Sequence, residues 1–407
     1  MIRVLVVGQT PPPLHGQAIM IERLVQGRFS RVKLYHVRMA FSDSLGEVGR
    51  FRLGKIIHLM SVIARIIYHR VVHGTTVLYY PPAGPNRVPV YRDVAILLCT
   101  RWMFRHSVLH FHATGVSELY PRLNRLARLL FRAALFHSDA TIRITNCGPN
   151  DADLLAPRRQ FIVPNGIGDQ FQRFAAANRD SNEQEICLTS ANETPFRILF
   201  VGAMRQSKGV LVLIDACHRL AASGTEFALQ CAGQFESPEF AAQVRERIEQ
   251  LQLQRQITLL GEISGEAKWQ AFARADVLCL PTHFECETFP TVLLEAMSFQ
   301  LPVIATRWRG IPDIVDDGQI GILVEPHDSA ALAVAIERLS SAPDLRRSMG
   351  KLGREKFLRR YTLQRHLEQM EQVFVDVATD GCAAAATASE GSITPQTSIP
   401  VREEVAC

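Results

Sequence analysis

The sequence has no apolar run long enough to cross a membrane. The nearest candidate, residues 56–72, is interrupted by two histidines and two arginines, whereas a span needs about 20 consecutive apolar residues. The nine cysteines are scattered and form no C-x-x-C pair, which argues against a disulfide framework and a structural zinc site. No cationic leader precedes an apolar core and a small-residue cleavage site. We therefore expect no signal peptide and a reducing, cytoplasmic location.

Two nucleotide-related signatures are also missing. Neither strand–turn–helix opening carries G-x-G-x-x-G, so a dinucleotide-dependent oxidoreductase is the weakest function considered. The basic segments are not interleaved with stacking aromatics and no nucleic-acid-binding motif is present, so nucleic acid is not an expected partner. A hydrophobic content of 47% over 407 residues is instead typical of a globular protein with two domains.

The same strand-like opening occurs twice. RVLVVG at residues 3–8 and RILFVG at residues 197–202 are apolar, end in Gly and precede a loop and a helical pattern. This arrangement predicts two doubly wound α/β domains. The expected divisions are an N-terminal domain (1–171), a polar linker (172–195), a C-terminal domain (196–360), a helix (361–378) and a disordered tail (379–407) rich in Ala, Ser, Thr and Pro.

The segment PTHFECETFPTVLLEAMSFQLPVIAT, residues 281–306, carries two carboxylates eight positions apart. Pro290 suits the first turn of a helix, and apolar residues recur at helical spacing after it. Glu287 then lies in the loop before the helix and Glu295 more than one turn inside it. The helix start, from Thr291 onward, offers free N–H groups and a positive dipole end, which suit a diphosphate.

This spacing, with AMS and PVIAT after it, resembles the signature of the family 4 glycosyltransferases, which are retaining enzymes with two Rossmann-like domains facing across a cleft, the B-type fold. Glu285 does not fit, because Leu293 stands eight positions beyond it. The resemblance implies that Glu287 contacts the transferred sugar. It also implies that Glu295 holds the ribose hydroxyls of the donor.

The resemblance extends to the loop VGAMRQSKG, where Arg205 and Lys208 would neutralise the donor diphosphate. Ala203 occupies the family's usual Arg position, so Arg205 substitutes from two residues further on. Cations fixed at a leaving diphosphate act on rate as well as affinity. The other expected donor-binding residues are Gly16, Phe289, Pro290, Thr291 and Val292.

The N-terminal half contributes His112, which follows an apolar strand and matches the family's sugar-contacting His. His110, two residues earlier, is expected in the core. Gly16 lies beside the expected diphosphate, with His15 in place of a first Gly. Residues 165–167, Asn-Gly-Ile, match a turn that closes the first domain, which we interpret as a hinge.

Asp151-Ala152-Asp153 has the Asp-x-Asp form that holds a metal in another large class of glycosyltransferases. It follows Gly-Pro-Asn and precedes two leucines, a pattern typical of a helix N-terminus, where carboxylates satisfy free N–H groups. We expect no metal and no cofactor, because cations and helix ends already serve the diphosphate.

Charge is unevenly distributed, with 22 Lys and Arg against 9 Asp and Glu in residues 1–170. Within residues 121–137 the cations recur every three or four positions, opposite apolar residues. One interpretation is an ordinary surface helix with its leucines toward the sheet; the other is contact with anionic lipid or a lipid diphosphate. The two sets are Arg122, Arg125, Arg128 and Arg132, and Leu123, Leu126, Leu130 and Ala134.

These patterns together predict a retaining, metal-independent, hexosyltransferase-like glycosyltransferase of polysaccharide biosynthesis. The donor would be a UDP- or GDP-sugar and the acceptor a saccharide or polyprenyl-diphosphate-linked intermediate, at the inner face of the membrane. The alternative is a non-catalytic nucleotide-sugar-binding scaffold of a polysaccharide assembly complex. Ala203 supports that alternative, as do Gln300 and Arg309, which stand where the family usually has Gly.

Overall fold

A computed structural model describes residues 1–12, 16–41, 53–177 and 195–387 of the chain. The described residues form two parallel sheets, one in each half of the chain. The N-terminal sheet has the strand order β2-β1-β3-β4-β5-β6. Its strands are β1 (Ile2–Gly8), β2 (Val32–Arg38), β3 (Val77–Tyr80), β4 (His106–Phe111), β5 (Ala140–Arg143) and β6 (Arg159–Ile162).

The C-terminal sheet repeats this design with the order β12-β11-β10-β7-β8-β9. Its strands are β7 (Phe196–Val201), β8 (Phe227–Ala232), β9 (Ile257–Gly261), β10 (Val277–Leu280), β11 (Val303–Thr306) and β12 (Gly321–Val324). The two repeated openings found in the sequence are β1 and β7. The prediction of a doubly wound α/β fold in each half is therefore confirmed.

Helices connect the strands and cover both faces of each sheet, as parallel sheets require. In the N-terminal half they are α1 (Gly16–Gln26), α2 (Leu53–Val72), α3 (Arg87–Thr100), α4 (Val116–Leu119), α5 (Arg125–Leu135), α6 (Asp151–Leu154) and α7 (Gln170–Ala177). In the C-terminal half they are α8 (Val210–Ala222), α9 (Pro238–Gln250), α10 (Gly265–Arg274), α11 (Thr291–Ser298), α12 (Ile311–Ile314), α13 (Ser329–Ser341), α14 (Pro343–Arg360) and α15 (Leu363–Thr387). Short 3₁₀ turns lie at Arg101–Met103, Tyr120–Arg122 and Gln206–Lys208.

The central strands are buried along their whole length. Every residue of β3, β10 and β11 is buried, which explains their continuous apolar sequences. Helices α2, α3 and α5 cover one face of the N-terminal sheet. The other face packs against α1 and against α15, which returns from the C-terminal half. None of the described helices is both long and apolar enough to span a membrane.

The C-terminal helix differs from its expected length. Met370 and Phe374 of α15 lie in one apolar cluster with Val4 and Val6 of β1, so this helix packs on the N-terminal sheet. It continues to Thr387 rather than ending at residue 378. The residues that follow 378 are rich in alanine, which has the highest helix propensity of all residue types. The rest of the tail expected to be disordered, residues 388–407, lies outside the described residues.

The expected linker also begins with regular structure. Residues 172–177 belong to α7, whose Phe171 and Phe174 rings lie 5.6 and 5.9 Å from the ring of Phe299 in the C-terminal half. These two apolar residues, three positions apart, anchor a helix where the polar composition indicated none. The remaining linker residues, 178–194, lie outside the described residues.

Candidate functional site

The strand order of the C-terminal sheet reverses between β7 and β10. Ligands of doubly wound sheets bind outside the carboxyl ends of the strands at such a switch point. The loop after β7 carries Arg205 and Lys208, and the loop after β10 carries Glu287. These three predicted site residues therefore lie at the edge of the sheet where this topology binds ligands.

Lys208 and Glu287 form an ion pair at this switch point. The ammonium group of Lys208 donates a hydrogen bond to Oε2 of Glu287. The hydroxyl of Thr282 lies 3.3 Å from the same carboxylate oxygen and 3.4 Å from the carbonyl oxygen of Ser207. Thr282 and Glu287 are both buried. The carboxylate is thus held between the two loops, where a charge is stable only because it is paired and hydrogen-bonded.

A single glycine allows the two loops to meet. Gly209 has a φ of +77°, in the left-handed region that favours glycine. A Cβ atom at this position would collide with the backbone carbonyl of Pro281, the residue that follows β10. Because Gly209 has no side chain, its backbone approaches that of Pro281 closely, and this contact places Lys208 beside Glu287.

The ring of Phe284 contacts both cations, Arg205 and Lys208. The guanidinium of Arg205 lies 5.6 Å and the ammonium of Lys208 5.2 Å from the ring centroid, which is within the range of cation–π attraction. Trp308 fixes this loop, because its indole N–H donates to the carbonyl of Phe284 at 2.9 Å. Nε of Arg205 is buried and has no hydrogen-bond partner among the described residues. The ring of Phe284 thus holds the guanidinium of Arg205 on the same side of the loop as the ammonium of Lys208.

Helix α11 begins as the sequence predicts, with Pro290 as its N-cap and Thr291 as its first residue. Thr291 and Val292 are partly exposed, so the first turn is accessible. The side chain of Phe289 is buried and its ring lies 5.8 Å from that of Tyr361. Phe289 therefore offers a ligand its backbone rather than its ring.

Glu295 belongs to a second charged group. Its Oε1 accepts a hydrogen bond of 2.7 Å from Nζ of Lys268 on α10. Burial raises the pKa of Glu295, and Lys268 and Arg23 partly offset that rise. Arg23 belongs to α1 of the N-terminal half, and its guanidinium donates to the carbonyl of Gly166 at 3.1 Å. Residues from both halves of the chain therefore surround this carboxylate.

Gly16 and His112 lie in the N-terminal half, near the carboxyl ends of β1 and β4. Gly16 is exposed at the first position of α1, with open space where a Cβ would point. The ring of His112 lies 4.0 Å from that of His110, and its Nε2 lies 3.5 Å from the hydroxyl of Tyr79. His110 is fully buried, as predicted, and burial together with His112 and His366 lowers its pKa well below the usual value.

Asp313 joins the two halves of the chain. Its carboxylate accepts hydrogen bonds from the hydroxyl of Thr145, the N–H of Asn146, and the N–H and thiol of Cys147. Burial raises the pKa of Asp313, but these four hydrogen bonds outweigh burial and hold the pKa below its usual value. The predicted hinge at residues 165–167 also contacts a residue from beyond the C-terminal sheet, because Ile167 pairs with Thr362.

Gln300 and Arg309, two of the positions that depart from the family pattern, share one backbone feature. Gln300 has a φ of +55° and Arg309 a φ of +49°, and both values lie in the left-handed region, where glycine is favoured. Arg309 also bridges the halves, because its Nη1 lies 3.3 Å from Oε1 of Glu118. The guanidinium of Arg309 is thus paired with a carboxylate of the N-terminal half.

Asp151 serves the capping role that the sequence predicts, but partly for another helix. It accepts from the N–H of Gly115 at 2.8 Å and of Ser117 at 2.7 Å, at the start of α4. Asn150 caps the helix that contains Asp151, through the N–H of Asp153. Within the ranges that the structure covers, no cluster of three or more His, Cys, Asp or Glu is arranged to hold a metal ion.

Several residues of the site are absent from the sequence-based prediction. Thr282 was within reach of such reasoning, since it follows β10 at the ligand-binding edge of the sheet. Phe284 was not, because an aromatic residue in a loop carries no signal for its neighbours. Lys268 and Arg23 are 27 and 272 positions from Glu295, and no local pattern connects them to it.

Two similar six-stranded domains, each with its switch point, define the B-type glycosyltransferase fold, and solved structures confirm it. A glycosyltransferase from Rickettsia africae superposes with a TM-score of 0.68 at 17% identity, covering 93% of this chain and 99% of that one. HepE from Anabaena, solved in complex with UDP, superposes with a TM-score of 0.67 at 15% identity, covering 92% and 100%. At these identities the likeness shows the fold alone.

Sequence comparison finds a family match in the C-terminal half of the chain. Residues 183–356 match the family described as Glycosyl transferases group 1. The alpha-maltose-1-phosphate synthase of Mycolicibacterium smegmatis is 29% identical over 61% of this chain and 65% of its own length. The putative colanic acid biosynthesis glycosyltransferase WcaL of Salmonella typhimurium is 33% identical, but over only 36% of each chain. These comparisons support a group 1 glycosyltransferase family for residues 183–356, and the matches span about two thirds or less of these two relatives.

Proposed function

We propose that this protein is a retaining glycosyltransferase that moves a sugar from a nucleoside diphosphate donor to a hydroxyl group. The observation that carries the proposal is the Lys208–Glu287 pair at the switch point of the C-terminal sheet. It places a cation for a diphosphate and a carboxylate for a sugar side by side, next to the start of α11. Free N–H groups at a helix start favour the same anion.

Each residue has a separate task in this reaction. Lys208, Arg205 and the first turn of α11 stabilise the diphosphate as it leaves, where negative charge grows in the transition state. Glu287 and His112 orient the sugar, and Glu287 also stabilises the positive character that its anomeric carbon acquires. Glu295 holds the ribose hydroxyls. The contacts that Arg205 and Lys208 both make with the ring of Phe284 support the assignment of both cations to the diphosphate.

The bonds change without a covalent enzyme intermediate. The bond between the anomeric carbon and the diphosphate oxygen breaks, and a bond to the acceptor oxygen forms on the same face of the sugar. The acceptor hydroxyl gives its proton to an oxygen of the leaving diphosphate. The configuration at the anomeric carbon is thereby retained, and the reaction needs neither a metal ion nor a protein nucleophile.

The donor we propose is a UDP- or GDP-sugar, and the acceptor a saccharide or a polyprenyl-diphosphate-linked intermediate of polysaccharide synthesis. The UDP complex of HepE supports a nucleoside diphosphate donor. WcaL, described as a colanic acid biosynthesis glycosyltransferase, supports a polysaccharide product. A lipid-linked acceptor would place the protein in the cytoplasm, at the inner face of the membrane.

A donor panel tests the proposal. Purified protein is incubated with UDP- and GDP-sugars, with and without saccharide and polyprenyl-diphosphate acceptors, and the released nucleotide and the product are measured. One donor should release nucleotide faster with an acceptor, and NMR should show the donor's anomeric configuration in the product. Binding of a nucleotide sugar without release would support the non-catalytic scaffold. An inverted product would refute retention.

A further inference from the structure

The outward surface of α2, α3, α5 and the 3₁₀ turn Arg101–Met103 is both apolar and cationic. In α5 two of the leucines that one interpretation placed toward the sheet, Leu126 and Leu130, are 66% and 40% exposed, and the neighbouring Leu129 is 64% exposed. Phe131, Ala134 and Leu135 supply the buried side instead. The helix thus presents leucines to solvent between exposed arginines, which ordinary surface helices do not do.

Helix α2 is apolar on opposite sides. Val62 and Ile66 are fully buried against the sheet, whereas Met60 and Val71 are 59% and 69% exposed. Exposed Ile57 and Tyr68 continue this outward stripe at helical spacing. A helix that is hydrophobic all round is normally covered on all sides. The outward stripe of α2 therefore indicates a covering surface other than the described residues of the chain.

Partly buried hydrogen bonds hold these elements together in one surface. Nε of Arg70, in the last turn of α2, donates to the carbonyl of Met103 at 2.7 Å. Nη1 of Arg101 donates to the carbonyls of Ala134 and Phe136, at the end of α5, at 2.9 and 2.7 Å. Trp102, between these two anchors, is 76% exposed. Its indole therefore projects from a fixed position between α2 and α5.

The charge of this surface indicates what covers it. These four described elements contain one acidic residue, Asp93, which is buried and bound by Tyr80 and Arg92. Exposed cations include Arg65, Arg125 and Arg132. A second copy of the same surface would bring cations against cations. An anionic bilayer instead matches both features, since apolar side chains enter the interface, cations meet lipid headgroups, and tryptophan is preferred at that depth.

We propose that this surface, defined by α2, α3, α5 and residues 101–103, docks the protein on an anionic lipid bilayer. The inference rests on the proposed function in one respect: a lipid-linked acceptor explains why the enzyme would work at a membrane. Docking inserts Trp102 and the leucines of α5, while Arg125 and Arg132 contact the headgroups. Binding thus has an apolar part that salt leaves intact and a cationic part that salt screens.

Sedimentation of the full chain with vesicles, without any donor, tests docking. Binding should be strong with phosphatidylglycerol-containing vesicles, weak with phosphatidylcholine alone, and accompanied by a blue shift of tryptophan fluorescence. Leu126→Gln combined with Leu129→Gln should weaken binding about tenfold or more. Arg125→Gln combined with Arg132→Gln should do the same at low salt and less at high salt. Trp102→Phe should remove the blue shift and leave most of the binding.

The matched control is Val334→Gln with Arg338→Gln on α13, where Val334 is 64% exposed. This variant should bind vesicles like the unaltered protein. Equal binding to neutral vesicles, or unchanged binding in both surface variants, would overturn the proposal. So would a dimer in size-exclusion chromatography that the leucine variant dissociates, since the surface would then join two copies. Vesicle binding without sugar transfer would refute the proposed reaction and leave docking intact.

Discussion

Lys268 and Glu295 are joined by a 2.7 Å hydrogen bond between two helices of the C-terminal half. Glu295 is largely buried, and its environment raises the pKa of its carboxyl although Lys268 opposes that rise. A ribose hydroxyl donates a stronger hydrogen bond to a carboxylate than to a carboxylic acid. Lys268 is thus a positioning residue that keeps the proposed ribose ligand ionised and oriented.

Replacing Lys268 by Met should raise the donor KM about five- to thirtyfold, which corresponds to ~1–2 kcal/mol for a charge that loses its partner. The kcat should change little, because ribose is bound alike in ground and transition states. Loss of the cation should also raise the pKa of Glu295 further. As the pH is lowered, the variant should therefore lose donor affinity with a midpoint at a higher pH than the unaltered protein.

Isothermal titration of the donor between pH 5 and 8 measures this shift. Lys268→Arg, which preserves the positive charge, is the control and should keep the pH midpoint near that of the unaltered protein. A purely structural role for Lys268 would lower the thermal midpoint without moving the pH midpoint. That result would contradict the assignment.

Lys208→Ala should lower kcat by about a hundredfold or more, or roughly 3 kcal/mol of barrier. The lysine faces charge that grows as the diphosphate leaves, so its loss acts on the chemical step. Glu287→Ala should behave similarly, because its carboxylate stabilises a sugar that becomes positive. Glu295→Ala should instead raise mainly the donor KM.

Steady-state nucleotide release from the preferred donor measures these three effects. Lys351→Ala, an exposed lysine on α14, is the matched control and should leave kcat and KM unchanged. Each variant is compared at equal folded fraction, judged from its thermal transition. Normal release by all three site variants would remove Lys208 and Glu287 from the mechanism.

Gln300→Gly should stabilise the protein by about 0.5–1 kcal/mol. The left-handed backbone of Gln300 costs a non-glycine residue about 1–2 kcal/mol. Glycine avoids this cost, but its greater freedom in the unfolded chain destabilises the folded state and offsets about half of the gain. Gln300→Ala is the control, because it removes the side chain but retains the strained Cβ. Thermal unfolding that rises for Ala as much as for Gly would show that the backbone is not the cause.

The sequence predicted the local parts of the site well, for a physical reason. Pro290 and the helical spacing after it determine where α11 begins, so the positions of Glu287 and Glu295 on either side of that start follow from adjacent residues. The twofold occurrence of a buried strand ending in Gly determined the number of sheets. These are short-range patterns, and the structure contains both.

The contacts that cross the fold could not be predicted in the same way. Lys268 reaches Glu295 only because α10 packs beside α11, and the periodicity of α10 is that of any surface helix. The sequence pattern of α5 fitted both leucines packed on the sheet and leucines in contact with lipid, because an amphipathic helix has the same apolar spacing in either setting. Phe171 and Phe174 anchor α7 through Phe299, more than a hundred residues away.

Asp313→Asn should loosen the contact between the two halves and lower the free energy of unfolding by about 1–3 kcal/mol near neutral pH. The carboxylate accepts from Thr145, Asn146 and Cys147 at once, whereas an amide directs its own donors at some of these groups. The effect should depend on pH. Because the folded pKa of Asp313 lies below its usual value of 3.8, its contribution is complete above about pH 4 and is lost as the pH falls through the folded pKa. Thermal midpoints from pH 7 to 3 should therefore fall more steeply for the unaltered protein than for the variant, and parallel curves would show that Asp313 does not couple the halves through its charge.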